Sequence, residues 1–523
     1  MVGVRHPVAS RHGLDVLGTL LAIGFGLPSL LYPFGSDQAV YHYVGTGWLE
    51  GLWPYVDALD IKPPGIYFVY ALAARTFGAG EWPIRAFELA AVVAVGWVVA
   101  AAIRPNGERR DGERGVAALL AAGWYYTVFD YWATAQVELW EGLFLASSWA
   151  VAIRGAPTVR RIFAAGALCG IAFLFKYPAV LVGLVIALVC ARRRENLPGA
   201  LSALGVYGAG VAVCIALCLA PFAWNGDLAS VWDSTVAFNL RFSTRLGRAT
   251  TPWAFWIDRA WIWGLLTAAA VALGVARSVA AQRRGEAQAA AALARAAEIA
   301  ALLAAAWASV LIQRKFWAYH HEVLVPFAVA SLLWGLRTAF SAHPGAVFAA
   351  ALAMVGVGFS TAPGWLFNEL RPAPMNYRTH AVLAWRHARG DIDREQYVRL
   401  VSRSPRESSI RELGKIIASE ATPGDTLCVL GYQPLVYTVS GLRCTSRVFV
   451  TLVLSGEASA HRGGAWVSDH LSALRSDPPT FFLVPEAGRV EIPGAAYRDL
   501  AKGGGWVVLR REPHPPRGQT GSA

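Results

Sequence analysis

The residues of this chain that could do chemistry gather in a few short stretches. The first lies between Pro33 and Pro64 and contains GSDQAVYHYVGTGWLEG and DALDIKPP. Ser36 is a natural N-cap, and Asp37 would stand in the first turn of a helix, where a carboxylate is favoured in its ionised form. Tyr41, Val44 and Trp48 follow at helical spacing and give an apolar face that could lie on a membrane. An ionised carboxylate at a bilayer surface, facing a cavity, is a candidate general base; the plainer reading is that Asp37 only caps a surface helix. Lys62 precedes Pro63 and Pro64, so its backbone is biased to be extended, and the prolines suit the first turn of the next helix. An ammonium group and a helix N-terminus aimed at one spot form an anion site. A lysine snorkelling from a helix end would show the same pattern.

Four further stretches carry ionisable groups in apolar surroundings. TAQVELWEG holds Glu138 and Glu141, one helical turn apart, and GIAFLFKYP holds Lys176. A lysine inside an apolar run is costly and a functional candidate by default. QRKFWAYHHEVLVP supplies Arg314, Lys315, Tyr319, His320 and His321. Adjacent histidines point in different directions on a helix, so the pair is a poor chelate, and His320 could equally bind a phosphate or sit in the interface. Arg241 and Arg245 are four apart and fit one helix face, either solvated or turned to a ligand.

The elements that must position these groups are membrane spans. The chain of 523 residues is 55% hydrophobic and only 16% charged, against about 25% charged in soluble domains. A soluble chain this apolar would need an implausibly large dry core. Runs such as Val206 to Trp224 match the roughly 30 Å hydrocarbon thickness, and the hydrophobicity pattern predicts about eleven spanning helices. These start near Leu14, Trp82, Gly115, Leu139, Ile162, Ala179, Ala203, Trp256, Ala289, Val323 and Val347; Gly65 to Phe77 is short and semi-polar and is placed at the interface. The first apolar run continues into a multi-span pattern, so no cleavable signal peptide is expected. No repeat of fixed period and no zinc-type cysteine spacing is present.

Arginines concentrate in alternate loops: Arg104, Arg109, Arg110 and Arg114; Arg154, Arg160 and Arg161; Arg192 to Arg194; Arg277, Arg283 and Arg284; and Arg337, with Arg5 and Arg11 at the N-terminus. The net charge of +12 is thus the pattern that keeps Lys and Arg in the cytoplasm, not a nucleic-acid signal. The opposite loops hold Lys62, Lys176, Arg241, Arg245, Arg314 and Lys315. The N-terminus is then cytoplasmic and the C-terminus outside. From about Asn368 the composition is that of a soluble domain. A polar helix is expected over GDIDREQYVRLV, and strands over DTLCVLGY, TFFLVP and WVVLRR. Residues 1–366 are read as the membrane domain, 367–512 as a small α/β domain and 513–523 as a disordered tail. Cys428 and Cys444 lie in the α/β part, where a disulfide is allowed if it faces outward.

The first loop resembles that of GT-C glycosyltransferases, in particular the lipid A aminoarabinose transferases, the rhizobial lipopolysaccharide sugar transferases and the protein mannosyltransferases. The resemblance rests on Asp37 just after the first span, on Gly51 to Tyr55, and on Asp60, Lys62, Pro63, Pro64 and Tyr67. Looser likenesses involve Glu138, with Gln136-Val137 where those families have Asn-Thr; Lys176, with Tyr177 intervening before Pro178; Lys315, Tyr319 and His320; and PGDTLCVLGYQPLVYTVSGLRCTSR. It implies a polytopic α-helical membrane protein of GT-C type with a small C-terminal α/β extracytoplasmic domain, in a bacterial inner membrane. It implies an inverting transferase that takes a hexosyl or pentosyl group from a polyprenyl-phosphate donor. The acceptor would be lipid A, another envelope glycan or a protein. On this reading Asp37 and Glu138 are catalytic, and Lys62, Lys176, Arg314, Lys315 and His320 bind the donor phosphate. Tyr41, Tyr55, Asp60, Tyr67, Arg241, Arg245 and Tyr319 line the substrate site. Some relatives use a divalent ion, which Asp37, Glu138 and His320 could ligate as Mg²⁺ or Mn²⁺. The competing expectations are a transporter or flippase for a lipid-linked or anionic substrate, and a non-catalytic scaffold whose outer domain binds a partner.

Overall fold

The structure is a computed structural model that describes residues 13–104, 112–242, 251–340, 343–360, 377–487 and 495–512. The expected tail 513–523, the domain boundary at 366/367, and Arg5, Arg11, Arg109, Arg110 and Arg245 lie outside these residues.

Helices α1 (Gly13–Gly26), α2 (Ser36–Leu49), α3 (Gly65–Phe77), α4 (Trp82–Ile103), α5 (Glu113–Val128), α6 (Val137–Ile153), α7 (Val159–Phe173), α8 (Ala179–Arg192) and α9 (Leu197–Trp224) form the first part. The short α10 (Leu228–Trp232) and α11 (Phe238–Phe242), joined by a π-helical turn, are followed by α12 (Trp261–Arg283), α13 (Ala289–Gln313), α14 (Val325–Ala339) and α15 (Pro344–Ser360). A π-helical turn over Trp256–Ala260 extends α12, and a 3-10 segment over Ala318–Leu324 leads into α14.

Six helical runs among the described residues are long and apolar enough to cross a membrane: Gly13–Leu31, Trp82–Ile103, Leu197–Trp224, Trp256–Arg283, Ala289–Gln313 and Ala318–Ala339. The other five expected spans coincide with α5, α6, α7, α8 and α15, which have 14 to 17 residues. At about 1.5 Å per residue these reach at most about 26 Å, short of an average hydrocarbon core. The count of eleven spans is therefore an upper reading of the pattern.

Sequence-adjacent helices run antiparallel, α4 against α5 and α6 against α7, whereas α1 with α5 and α7 with α9 pack parallel: Gly18 meets Gly115 and Gly26 meets Tyr126, Gly166 meets Tyr207 and Gly170 meets Val211. The alternation sorts the loops to two ends. One end carries the arginine loops, tied by Arg104 and Arg337 to Glu113 at 3.0 and 3.2 Å, and by Asp15 accepting from the amide of Arg114. The other end carries the first loop and the described candidate site residues, from Asp37 and Lys62 to Lys315 and His320.

α2 corrects two expectations. Gly35, not Ser36, is its N-cap, because Gln38 at the third helical position turns back to accept from the Gly35 amide at 3.0 Å. Nor does α2 offer an apolar face to a membrane: Gln38 to Gly47 are all buried, between α3 and the C-terminal region.

The C-terminal region holds α16 (Tyr377–Ala388), α17 (Arg394–Ser402), α18 (Pro405–Glu420), α19 (Leu435–Ser440) and α20 (Ala465–Ser476) around a four-stranded sheet. The strands are β1 (Leu427–Val429), β2 (Phe481–Pro485), β3 (Tyr497–Gly503) and β4 (Trp506–Arg511), in the order β1-β2-β4-β3. β1 runs parallel to β2 and the other pairs are antiparallel, with a bulge between Asp499 and Ala501. β3 escapes sequence reading because its alternation is half-exposed and polar. Cys428 and Cys444 pack together as free thiols, not as the disulfide allowed above.

Candidate active site

The start of α2 is fixed by one side chain. The Gln38 amide donates to the backbone carbonyls of Trp132 (2.9 Å) and Thr134 (2.7 Å) in the turn that leads into α6. Tyr41, buried on the same helix, donates to Gln136 at 3.2 Å. Asp37 in the first turn of α2 and Glu138 in the first turn of α6 are thereby held at the same end of the bundle.

Lys62 is placed by its loop. Tyr55 donates to the Lys62 carbonyl at 2.7 Å, Tyr67 donates to Asp60 at 2.6 Å, and Asn239 donates to the Ile61 carbonyl at 2.6 Å. Both tyrosine rings are wholly buried, and together with Asp60 they hold the Lys62 loop. The Asp60 carboxyl is pushed above the usual range by burial, against the pull of the Tyr67 hydrogen bond. Gly65 then brings this loop against the turn before α8. Its amide donates to the Leu174 carbonyl at 3.0 Å, and a β-carbon at Gly65 would meet that oxygen at 2.9 Å. Only a residue without a side chain permits the approach, and it sets Lys62 beside Lys176.

Lys176 ion-pairs with Glu138, which is fully buried, and His320 Nε2 stands 3.8 Å from the same Glu138 oxygen. The second Glu138 oxygen and both oxygens of Glu141 have no hydrogen-bond partner among the described residues. Lys62 Nζ lies over the Tyr319 ring, 5.7 Å from its centre. Lys315, in the turn between α13 and the 3-10 segment, completes the cluster. Burial, then the charges of Lys62 and Lys176, push its ammonium down to about 7. Burial is also the first cause lowering Lys176, with Glu138 opposing. Three ammonium groups that repel one another in a confined space form a site shaped for an anion.

Asp37 faces the cluster, and its Oδ1 accepts from the Tyr432 phenol at 2.5 Å. Arg314 and Arg241 stand apart from this arrangement. Arg314 is exposed in left-handed conformation at the end of α13, and Arg241 is exposed with its guanidinium over the Phe242 ring. Among the described residues no three His, Cys, Asp or Glu side chains are placed to hold a metal ion. Asp37, Glu138 and His320 thus do not assemble a metal cage, and one Glu138 oxygen is already occupied by the Lys176 ammonium. Sequence reading passed over Tyr432 and Gln38. Gln38 had a signal, a glutamine three residues after the cap; Tyr432 had none, since its partner lies 395 positions away.

Comparison with known proteins agrees with this architecture. Residues 61–224 match the family model described as dolichyl-phosphate-mannose-protein mannosyltransferase, a stretch that contains Lys62, Glu138 and Lys176. No curated protein sequence matches significantly. The crystal structure of ArnT from Cupriavidus metallidurans bound to undecaprenyl phosphate is similar over 95% of this chain and 98% of that one. The TM-score is 0.56 and the sequence identity 15%. The apo form of the same protein gives a TM-score of 0.57 at 16% identity, covering 95% and 97%. The archaeal oligosaccharyltransferase AglB from Archaeoglobus fulgidus, in complex with an inhibitory peptide and a dolichol-phosphate, is a looser likeness, with a TM-score of 0.45 at 10% identity over 91% and 69%. The chain has the fold of the GT-C membrane glycosyltransferases.

Proposed function

We propose that this protein is an inverting glycosyltransferase that moves a sugar from a polyprenyl-phosphate donor to an acceptor hydroxyl. The observation that carries the reading is the gathering of Lys62, Lys176 and Lys315 beside Asp37 and Glu138. The donor phosphate sits among the three ammonium groups, with His320 against Glu138 at their edge. Asp37 accepts the proton of the acceptor hydroxyl as its oxygen attacks the anomeric carbon from the side opposite the phosphate. The carbon–oxygen bond to phosphate breaks, and the polyprenyl phosphate leaves with its electron pair and added negative charge. Fixed cations stabilise that developing charge in the transition state. Phosphate leaves without protonation, so one base suffices and the single displacement inverts the anomeric centre. Glu138 orients Lys176. The similar ArnT structure holds undecaprenyl phosphate, which agrees with a donor of this class.

We further read the acceptor as an envelope component, whether lipid A, another glycan or a protein, on the outer face of a bacterial inner membrane. Residues 1–366 form the membrane part and 367–512 an outer domain. The test is transfer of labelled sugar from a panel of polyprenyl-phosphate monosaccharides by purified protein, with membrane extract as acceptor. Wild-type transfer is expected to fall by about 100-fold or more in Asp37→Asn and Lys62→Ala, with folding intact. Activity surviving in Asp37→Asn removes Asp37 as the base. Absence of transfer from every donor rejects the reading and makes movement of a lipid-linked substrate the next assay.

A further inference from the structure

The Tyr432 phenol donates to Asp37 Oδ1 at 2.5 Å across 395 residues of sequence, from the loop between β1 and α19. The loop is fixed to α2 by contacts that do not involve that phenol. Arg443 binds Glu50 at 2.7 Å, the Thr46 hydroxyl at 3.0 Å and the Tyr43 carbonyl at 2.7 Å. The Tyr43 ring stacks on Phe449 with centres 4.1 Å apart. At the base of the loop, Gly431 has φ +137 and its carbonyl accepts from Thr451, while a β-carbon there would meet the Trp506 ring at 2.6 Å. β1 ends against β2 just before, where the Leu430 amide donates to Leu483. The chain therefore turns sharply off the sheet and delivers one side chain towards α2. Burial, followed by the nearby charge of Asp37, pushes the Tyr432 phenol well above its usual range, so it remains a protonated donor.

We infer that Tyr432 is a positioning residue of the transfer site: the C-terminal region holds one oxygen of the Asp37 carboxylate through this phenol and leaves the other to take the acceptor proton. The inference rests on reading Asp37 as the base. A carboxylate in the first turn of a helix can rotate about its side-chain torsions, and a base is effective only within hydrogen-bond reach and alignment of the proton it removes. A charge-assisted phenol bond fixes that torsion where loop packing alone would not. The lysine cluster lies on other elements, so the donor phosphate should not sense the phenol.

The experiment is steady-state transfer by full-length Tyr432→Phe, with thermal midpoint measured in the same detergent and Arg443→Ala as a docking control. In Tyr432→Phe, kcat is expected to fall about ten- to hundredfold, as loss of a hydrogen bond to a charged group predicts. Donor KM should stay within about twofold and the thermal midpoint within about 2 °C, because the ring and its packing are kept. Arg443→Ala should instead lower the thermal midpoint while Tyr432 keeps its partner. Wild-type rates in Tyr432→Phe overturn the inference. A fall in kcat that travels with a fall in thermal midpoint, as in the docking control, also overturns it and reduces the phenol to a packing contact. A wild type that transfers from no lipid-phosphate donor overturns the glycosyltransferase reading and this inference with it. In contrast, an active wild type with an indifferent Tyr432→Phe sinks only the latter.

Discussion

The clustered lysines of the helical bundle and the docking arginines of the C-terminal region meet opposite fates. Arg394 and Arg411 both end on Glu81, Arg443 on Glu50 and Arg462 on Asp233, at 2.6 to 2.8 Å. Arg443 grips its carboxylate with a two-nitrogen fork, the use for which a guanidinium is suited, and the other three reach theirs through one nitrogen. Of the three clustered lysines of the bundle, only Lys176 has a carboxylate partner; Lys62 and Lys315 make no ion pair among the described residues. The arginines join one part of the chain to another. The lysines are held close together against their mutual repulsion, which an anion from outside the chain would relieve. Distribution of partners, more than charge itself, separates the cations that build this molecule from those that serve a ligand.

The sharpest way to break this comparison is to remove the one lysine that belongs to both classes. Lys176→Met leaves the Glu138 carboxylate buried without its partner, which should destabilise the protein by about 3 kcal/mol and lower transfer by about 100-fold. Adding Glu138→Gln should restore most of the stability, because the buried charge is gone, but not the transfer rate. Thermal melts and kcat of the single and double variants separate the two effects. Recovery of transfer in the double variant would show that Lys176 is structural, like the arginines.

Lys315 offers a pH test of the same contrast. Its ammonium, pushed down to about 7 by burial and then by the other lysines, is charged below that value and neutral above it. A phosphodiester donor keeps its single negative charge throughout. Donor affinity should therefore weaken as pH rises through 7, with KM increasing about tenfold between about pH 6 and about pH 8. Lys315→Arg keeps its charge and should flatten the profile. A wild-type KM that does not vary over this window would place Lys315 away from the donor.

Much of this arrangement was legible in the sequence, and the limits have physical causes. The positions of the apolar helices, the polar C-terminal helix and three of the four strands follow from hydrophobic patterning, because burial writes a repeating pattern, although the number of helices that span does not. The lysines were legible because a charge in an apolar run is conspicuous by its energetic penalty. What was not legible depends on distant partners. Nothing local tells Lys315, drawn into the cluster, from Arg314 beside it, exposed in left-handed conformation. Tyr55 and Tyr67 look like substrate-facing aromatics until their phenols are seen to hold the Lys62 loop. The bond from Tyr432 to Asp37 joins positions that only the packing of α19 and its loop on α2 could bring together.

On the arginine side, Glu81 is the test of a docking charge. It accepts from Arg394, Arg411 and the Phe34 amide at 2.8, 2.6 and 2.9 Å. Burial would raise its carboxyl, but the two guanidinium groups prevail and hold it at about 2. A depressed carboxyl contributes stability that is present above its unfolded value and lost as pH falls towards 2. The contribution is thus constant over the range in which Lys315 titrates. Glu81→Gln should lower stability by about 2 kcal/mol at neutral pH and change transfer by no more than about threefold. A loss of activity larger than the loss of stability explains would mean that this docking contact also shapes the site.

The smallest expected effects are at Arg314 and Arg241, which sequence reading grouped with the lysines. Both are exposed, Arg314 at the C-terminal end of α13 and Arg241 over the Phe242 ring. An exposed cation acts through high-dielectric solvent, where a single charge interaction amounts to about 1 kcal/mol or less and is screened by salt. Arg314→Ala and Arg241→Ala should therefore raise donor KM by no more than about threefold, and the change should vanish in high salt. The lysine variants, whose ammonium groups lie together in a confined cluster, should keep their effect at the same ionic strength. A salt-resistant, tenfold rise in either arginine variant would move that residue into the anion site and remove the distinction between clustered and exposed cations.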